Sequence, residues 1–149
     1  MHILLVCTGN TCRSPLAEAI VKRMVSDAGR TDIEVSSAGA QARDGSPASD
    51  EALLVGLERN LDLSDHRSRP LTAGILDRSD LLLAMSESHV LQVRQLKPKA
   101  NVHLVTRFGT DSGDGHPIQD PFGGDLAAYR ETADDLERAL SGLLERIPR

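Results

Sequence analysis

The stretch His2-Ile3-Leu4-Leu5-Val6-Cys7-Thr8-Gly9-Asn10-Thr11-Cys12-Arg13-Ser14-Pro15-Leu16-Ala17-Glu18 decides the fold. Its first part, Ile3–Val6, is a short unbroken apolar run, the pattern of a strand covered on both faces. Its last part opens a helix. Ser14 is the expected N-cap, Pro15 suits the first helical position, and Glu18 complements the positive end of the dipole. Leu16, Ile20 and Met24 recur at helical spacing, as do Ala17, Val21 and Val25, and Gly29 is expected to end the helix.

The turn between strand and helix, Cys7 to Ser14, has the makings of an anion cradle. Backbone N–H groups converge in such a turn, and the helix dipole adds positive potential. Gly9 permits a positive φ, and Asn10 tolerates one. Arg13 offers a planar fork to two phosphate oxygens. Cys7 is expected at the base of the cradle, its pKa lowered by the helix N-terminus and by Arg13, with Ser14 donating a hydrogen bond to it. A thiolate beneath a bound phosphate is a nucleophile aimed at phosphorus. Taken singly, a cysteine ending a strand is a small buried hydrophobe and an arginine at a helix start a solvated charge. Taken together, at this spacing and at this junction, they point to phosphoryl chemistry. No Gly-Lys-Ser/Thr follows, so the turn is not a Walker loop.

Working outward, Ile33–Ser37 reads as a second strand, followed by Ala38-Gly39. Residues 40–50 form a loop. Ser49 or Asp50 caps a helix through Leu53, Leu54 and Leu57 to about Asn60. Residues 61–71 are irregular and polar. Asp80–Ala84 is a third strand, Glu87–Leu96 a helix stopped by Pro98, and Asn101–Val105 a fourth strand. Residues 108–120 read as a long loop. From Asp125, the apolar series Leu126, Tyr129, Ala133, Leu136, Leu140, Leu143 and Leu144 predicts one long terminal helix. Alternating strands and helices give an α/β fold in three layers: a four-stranded parallel sheet with helices on both faces. Ligands in such folds bind at the carboxyl ends of the strands, near a switch point, which singles out the Cys7–Ser14 turn.

With 149 residues the chain is expected to form one domain, 1–149. Its net charge of −5 disfavours a sequence-independent nucleic-acid binder. So does an aromatic content of 2%, two Phe and one Tyr with no Trp, because base stacking leans on aromatic rings. The N-terminus lacks a basic region followed by a long apolar core, so no signal peptide and no membrane partner are expected, and the default location is cytoplasmic. Cys7 and Cys12 share one short segment, unlike a disulfide framework, and read as reactive thiols. The five His are scattered without ligand spacing; each is expected to be structural or exposed, with no metal.

The segment Val6–Glu18 resembles the signature of the low-molecular-weight protein tyrosine phosphatases. Ser36-Ser37-Ala38-Gly39, Asp65-His66-Arg67-Ser68-Arg69 and Asp120-Pro121-Phe122-Gly123-Gly124 extend the resemblance, in order and spacing, over nearly the whole chain. On its residues alone Asp120-Pro121 is a turn former; the resemblance makes Asp120 the general acid that protonates the leaving group and then the base that activates water. Cys7 becomes the nucleophile, and Arg13 the group that steadies charge in both steps. Thr8, Gly9, Asn10, Thr11, Cys12 and Ser14 bind the phosphoryl group, while Asn10, Ser14 and Ser37 hold the loop. Residues 64–69 read as a hydrogen-bonded structural turn, with Asp65-His66 only a weak dyad signal. Cys12 is either an inert thiol or the partner of Cys7 in a reversible disulfide that guards the nucleophile. The implied partners are phosphorylated proteins, with inorganic phosphate as product and inhibitor and no cofactor; the chain is expected to be a monomer or weak dimer.

Two departures from the usual tyrosine phosphatase pattern bear on the substrate. A Thr stands at position 11, where a larger aliphatic residue is common. Phe122-Gly123 stands where two aromatics are common. A phenyl ring wants aromatic walls, and Phe122 is the one available. Thr11 with Asp-Pro-Phe-Gly-Gly resembles the protein arginine phosphatase branch of the family, which implies a phosphoarginine substrate. Thr11 as a space-filling variant, and phosphotyrosine as substrate, stand as alternatives. An arsenate reductase normally recruits a further cysteine outside the cradle, and a mere phosphate-binding module needs no nucleophile or acid; both rank lower.

Overall fold

The computed structural model describes residues 1–110 and 113–149. Strand β1, His2–Cys7, runs into helix α1, Arg13–Asp27, and then strand β2, Glu34–Gly39. Helices α2, Asp50–Glu58, and α3, Ala73–Asp77, precede strand β3, Leu81–Ala84. Helix α4, Glu87–Leu96, strand β4, Val102–Leu104, helix α5, Val105–Phe108, and helix α6, Leu126–Leu140, complete the chain with a terminal 3₁₀ turn, Leu143–Arg146. The sheet is four-stranded and parallel throughout, in the order β2-β1-β3-β4.

The unbroken apolar character of Ile3–Val6 has the expected cause. Alternate residues feed two separate cores. Ile3, Leu5 and Leu83 pack with Leu16 and Ile20 of α1, Val55 of α2 and Leu136 of α6. Leu4, Val6 and Leu82 pack with Leu76 of α3 and Val90 and Val93 of α4. Helices thus cover both faces, as the alternation of elements predicts. Because β1 has β2 on one side and β3 on the other, the chain reverses its direction of travel across the sheet at β1, and the turn after Cys7 sits at that switch point.

The strands β1 to β3 differ from the sequence reading by one or two residues at their ends, and four further differences each have a local reason. First, α1 starts two residues early, with Cys12 as N-cap and Ser14 already helical. Ser14 is drawn away from capping by the sulfur of Cys7 at 2.8 Å. Pro15 therefore sits third in the helix, where its missing N–H still falls among the donors that lack a helical partner. Glu18 lies beyond the first turn and serves Ser37 and Lys22 instead of the dipole. Second, α3 is an unforeseen helix of five residues, too short to show periodicity; Thr72 caps it by accepting from the Ile75 N–H at 3.2 Å. Third, β4 stops at Leu104 because Val105 begins the single turn α5. That turn takes up the start of the expected 108–120 loop, of which residues 111 and 112 lie outside the described residues. Fourth, the terminal helix breaks at Ser141-Gly142. The Gly142 N–H leaves the helical ladder for the Gly109 carbonyl at 2.8 Å, and the 3₁₀ turn then buries Leu143. Elsewhere, Ser49 caps α2 and Gly29 follows α1 at φ 65°, as read from the sequence, and Asp125, where the terminal helix is expected to begin, caps α6.

Candidate active site

Cys7 ends the central strand, and the chain turns back over it. Asn10 adopts the left-handed conformation at φ 58° and aims its own N–H at Cys7 Sγ, 3.3 Å away. Gly9 does not need the positive φ expected of it. That role falls to Asn10 alone, and a Cβ on Gly9 would meet only Thr11 Oγ1 at 3.7 Å. The tight glycine is Gly39 at the end of β2. A Cβ there would lie 2.5 Å from the Thr8 carbonyl and 3.0 Å from Asn10 Cβ. Its absence lets Ala40 and Gln41 donate to the carbonyls of Cys7 and Thr8 at 2.9 Å each, which ties the outside of the turn to β2.

Asn10 is fully buried and is the hub of the turn. Its Nδ2 donates to Ser14 Oγ at 2.7 Å and to Ser37 Oγ at 2.9 Å. Its Oδ1 accepts from the Arg69 N–H at 3.0 Å, and its carbonyl meets His66 Nε2 at 2.7 Å. The guanidinium of Arg69 reaches the Ser37 carbonyl and Ser36 Oγ. Residues 64–69 are thus a structural brace, as their sequence suggests. Asn10 uses both amide protons on the two serines. The Ser37 hydroxyl donates to Glu18 Oε1 at 2.5 Å, and the Ser14 hydroxyl hydrogen is left for the sulfur of Cys7. Ser14 therefore acts from behind the nucleophile and does not line the cavity.

The thiol itself departs from the sequence expectation. Burial pushes the Cys7 thiol up, because a charged sulfur loses its water. Hydrogen bonds from Ser14, the positive charge of Arg13 and the Asn10 N–H all pull it down, and desolvation outweighs them. The cradle supplies every stabilising group foreseen, but on a sulfur buried more deeply than the sequence suggests.

Cys7, Thr8, Gly9, Asn10, Thr11, Cys12, Arg13, Asp120 and Phe122 converge on one cavity of about 220 Å³. Arg13, itself buried, donates from one nitrogen to the Ile118 carbonyl at 3.0 Å. Its other terminal nitrogen reaches Thr8 Oγ1 at 3.4 Å and Asp120 Oδ2 at 3.6 Å. Asp120 is half exposed and accepts from the Phe122 N–H at 3.1 Å, closing a small turn over the cavity mouth. Phe122 is 75% exposed and forms the rim. The other two aromatics lie elsewhere: Phe108 against His103, and Tyr129 buried beneath the cradle. Both cysteines are free thiols. Cys12 Sγ lies 3.3 Å from Tyr129 Oη and 3.6 Å from Ser49 Oγ.

The sequence reading missed His89. It is buried beside the cradle, 2.8 Å from Thr8 Oγ1. A usable signal existed: Met85–His89 follows the carboxyl end of a central strand, where ligand-facing residues gather in this architecture.

The chain from residue 2 to residue 149 matches the family model described as low molecular weight phosphotyrosine protein phosphatase. A protein-arginine-phosphatase of Bacillus subtilis is 35% identical over 99% of this chain and 97% of its own length. A protein-arginine-phosphatase of Geobacillus stearothermophilus is 37% identical over 98% and 95%. Among solved structures, the YwlE arginine phosphatase, as a cysteine-to-serine mutant with a phosphorylated active-site serine, superposes with a TM-score of 0.91. That pair is 34% identical over 99% of this chain and 95% of the other. With the match running along nearly the full length in both sequence and fold, the chain belongs to the low molecular weight phosphotyrosine protein phosphatase family.

Proposed function

We propose that this chain is a protein-arginine phosphatase working through a phosphocysteine. The observation that carries the reading is the wall of the cavity above Cys7, where Thr11 supplies a hydroxyl and Phe122 the single aromatic face. A guanidinium can bond to such a hydroxyl and to the carbonyl oxygen of the Asp120 carboxyl group, whereas a phenol ring gains little from either. The two relatives named as protein-arginine-phosphatases support the same substrate class.

In the first step, Cys7 Sγ attacks phosphorus and the P–N bond breaks. Asp120 gives its proton to the departing guanidine nitrogen. In the second step, Asp120 takes a proton from water as that water attacks phosphorus, the P–S bond breaks, and inorganic phosphate leaves. Arg13 and the amides of the 8–14 turn hold the equatorial oxygens throughout. Phosphate, as product, competes for the same cradle. Residues 1–149 act as one catalytic domain on phosphorylated proteins, in a bacterial cytoplasm, as a monomer or weak dimer. Cys12, one turn from the nucleophile, forms a reversible disulfide with Cys7 under oxidation.

One observation favours phosphotyrosine instead: Phe122 stands free at the rim, where it can flank a phenol ring. Comparing kcat/KM on matched phosphoarginine and phosphotyrosine peptides separates the two. A preference for phosphoarginine of about tenfold or more is expected, and Thr11→Ile should shift the ratio toward phosphotyrosine. A wild-type preference for phosphotyrosine would overturn the assignment.

A further inference from the structure

His89 takes no part in the proton and phosphoryl transfers, yet it is 2% exposed and both ring nitrogens are engaged. Nδ1 meets Ser86 Oγ at 2.9 Å, and Nε2 meets Thr8 Oγ1 at 2.8 Å. Thr8 Oγ1 in turn accepts from the Arg13 nitrogen that faces Asp120. The other Arg13 nitrogen is held by the Ile118 carbonyl, and the Ile118 N–H donates to the Met85 carbonyl at 2.8 Å. Both anchors of the guanidinium therefore trace back to one short turn, residues 85–89, at the end of β3.

We propose that His89 is a positioning residue for phosphoryl transfer: through Thr8 it fixes the Arg13 nitrogen that grips the phosphoryl group beside Asp120. The inference rests on the assignment of Cys7 and Arg13 to that reaction. An apolar side chain could fill the same space without burying two polar ring atoms, so the imidazole is there for its bonds. The charged groups acting on it are Arg13 from α1 and Asp120 from the mouth of the cavity. Burial and Arg13 hold its pKa down to about 4 against the pull of Asp120. The ring is neutral near pH 7 and steadies Arg13 without adding a second positive charge. A planar guanidinium held at both ends is pre-set for the bipyramidal transition state and need not reorganise when charge develops.

The test uses the full chain with Thr8→Val, His89→Gln, His89→Leu and the double variant Thr8→Val/His89→Leu. Calorimetry gives the affinity for inorganic phosphate, and turnover of p-nitrophenyl phosphate gives kcat. Thr8→Val and His89→Leu should each weaken phosphate binding and lower kcat by about tenfold, the effect of losing one bond to a charged group. The double variant should be no worse than either single one, because both break the same link. His89→Gln, whose amide can still engage Thr8, should stay within about threefold of wild type. Wild-type phosphate affinity in Thr8→Val, losses that multiply in the double variant, or His89→Gln as impaired as His89→Leu would overturn the proposal. If His89→Leu does not fold, Thr8→Val decides, since it leaves the imidazole in place. A wild-type chain that hydrolyses neither phosphoarginine nor phosphotyrosine peptides would defeat the proposed function, while phosphate affinity would still judge His89.

Discussion

The nucleophile is best understood as a contest between burial and hydrogen bonding at one sulfur. Desolvation holds the Cys7 thiol up, and Ser14 is first among the groups that pull it down. Ser14→Ala removes that pull and should raise the thiol pKa further. The alkaline-rising limb of the kcat/KM profile should then move to higher pH, with activity near pH 7 falling about tenfold; an unmoved limb would refute the role given to Ser14. Most of this chemistry was legible in the sequence, because Cys7, Arg13 and Ser14 lie within one turn and their spacing is set by local geometry. The hub role of Asn10 was only half legible. Its tolerance of positive φ is a property of the residue, but its bonds to Ser37 and Arg69 come from segments joined only by the fold. His89 was half legible in the same way: its place just after the carboxyl end of β3 can be read locally, but a lone histidine on a helix gives no sign that a distant strand end will bring Thr8 against it.

At the scale of elements, the cradle depends on how closely β2 approaches it. Gly39 ends that strand with no room for a side chain against the Thr8 carbonyl. Gly39→Ala must push backbone against backbone, and a loss of roughly 1–3 kcal/mol in unfolding free energy is expected, with a disproportionate fall in kcat. Denaturant melts and kinetics on the same sample check both; wild-type stability in this variant would show that the turn yields easily. Strands and long helices were predictable because their apolar periods are set by burial on one face or two. The ends were less so. Ser14 left its expected cap for a sulfur, and Gly142 left its helix for the Gly109 carbonyl. In both cases a tertiary partner beat a local preference worth about 1 kcal/mol.

For the whole molecule, the buried neutral imidazole makes stability depend on pH. His89 has a pKa of about 4 in the fold, against 6.5 when unfolded. Between those values the unfolded chain binds the extra proton, so stability is complete above about pH 6.5 and is lost as pH falls toward 4. The loss amounts to about 3 kcal/mol. The carboxylates of Asp32, Asp62 and Asp114, held low by their partners, act in the same direction at still lower pH. Urea melts at pH 7, 5 and 4 should show wild type losing more stability than His89→Gln across that range; equal losses would place the acid sensitivity elsewhere. The chain also carries an optical consequence of its sparse aromatics. It has no tryptophan and one tyrosine, and Tyr129 holds its hydroxyl 3.3 Å from the sulfur of Cys12. Light absorbed in the tyrosine band is therefore taken up by one ring lodged beneath the cradle, and oxidation of that sulfur is expected to change its emission, which a peroxide titration followed by fluorescence would check.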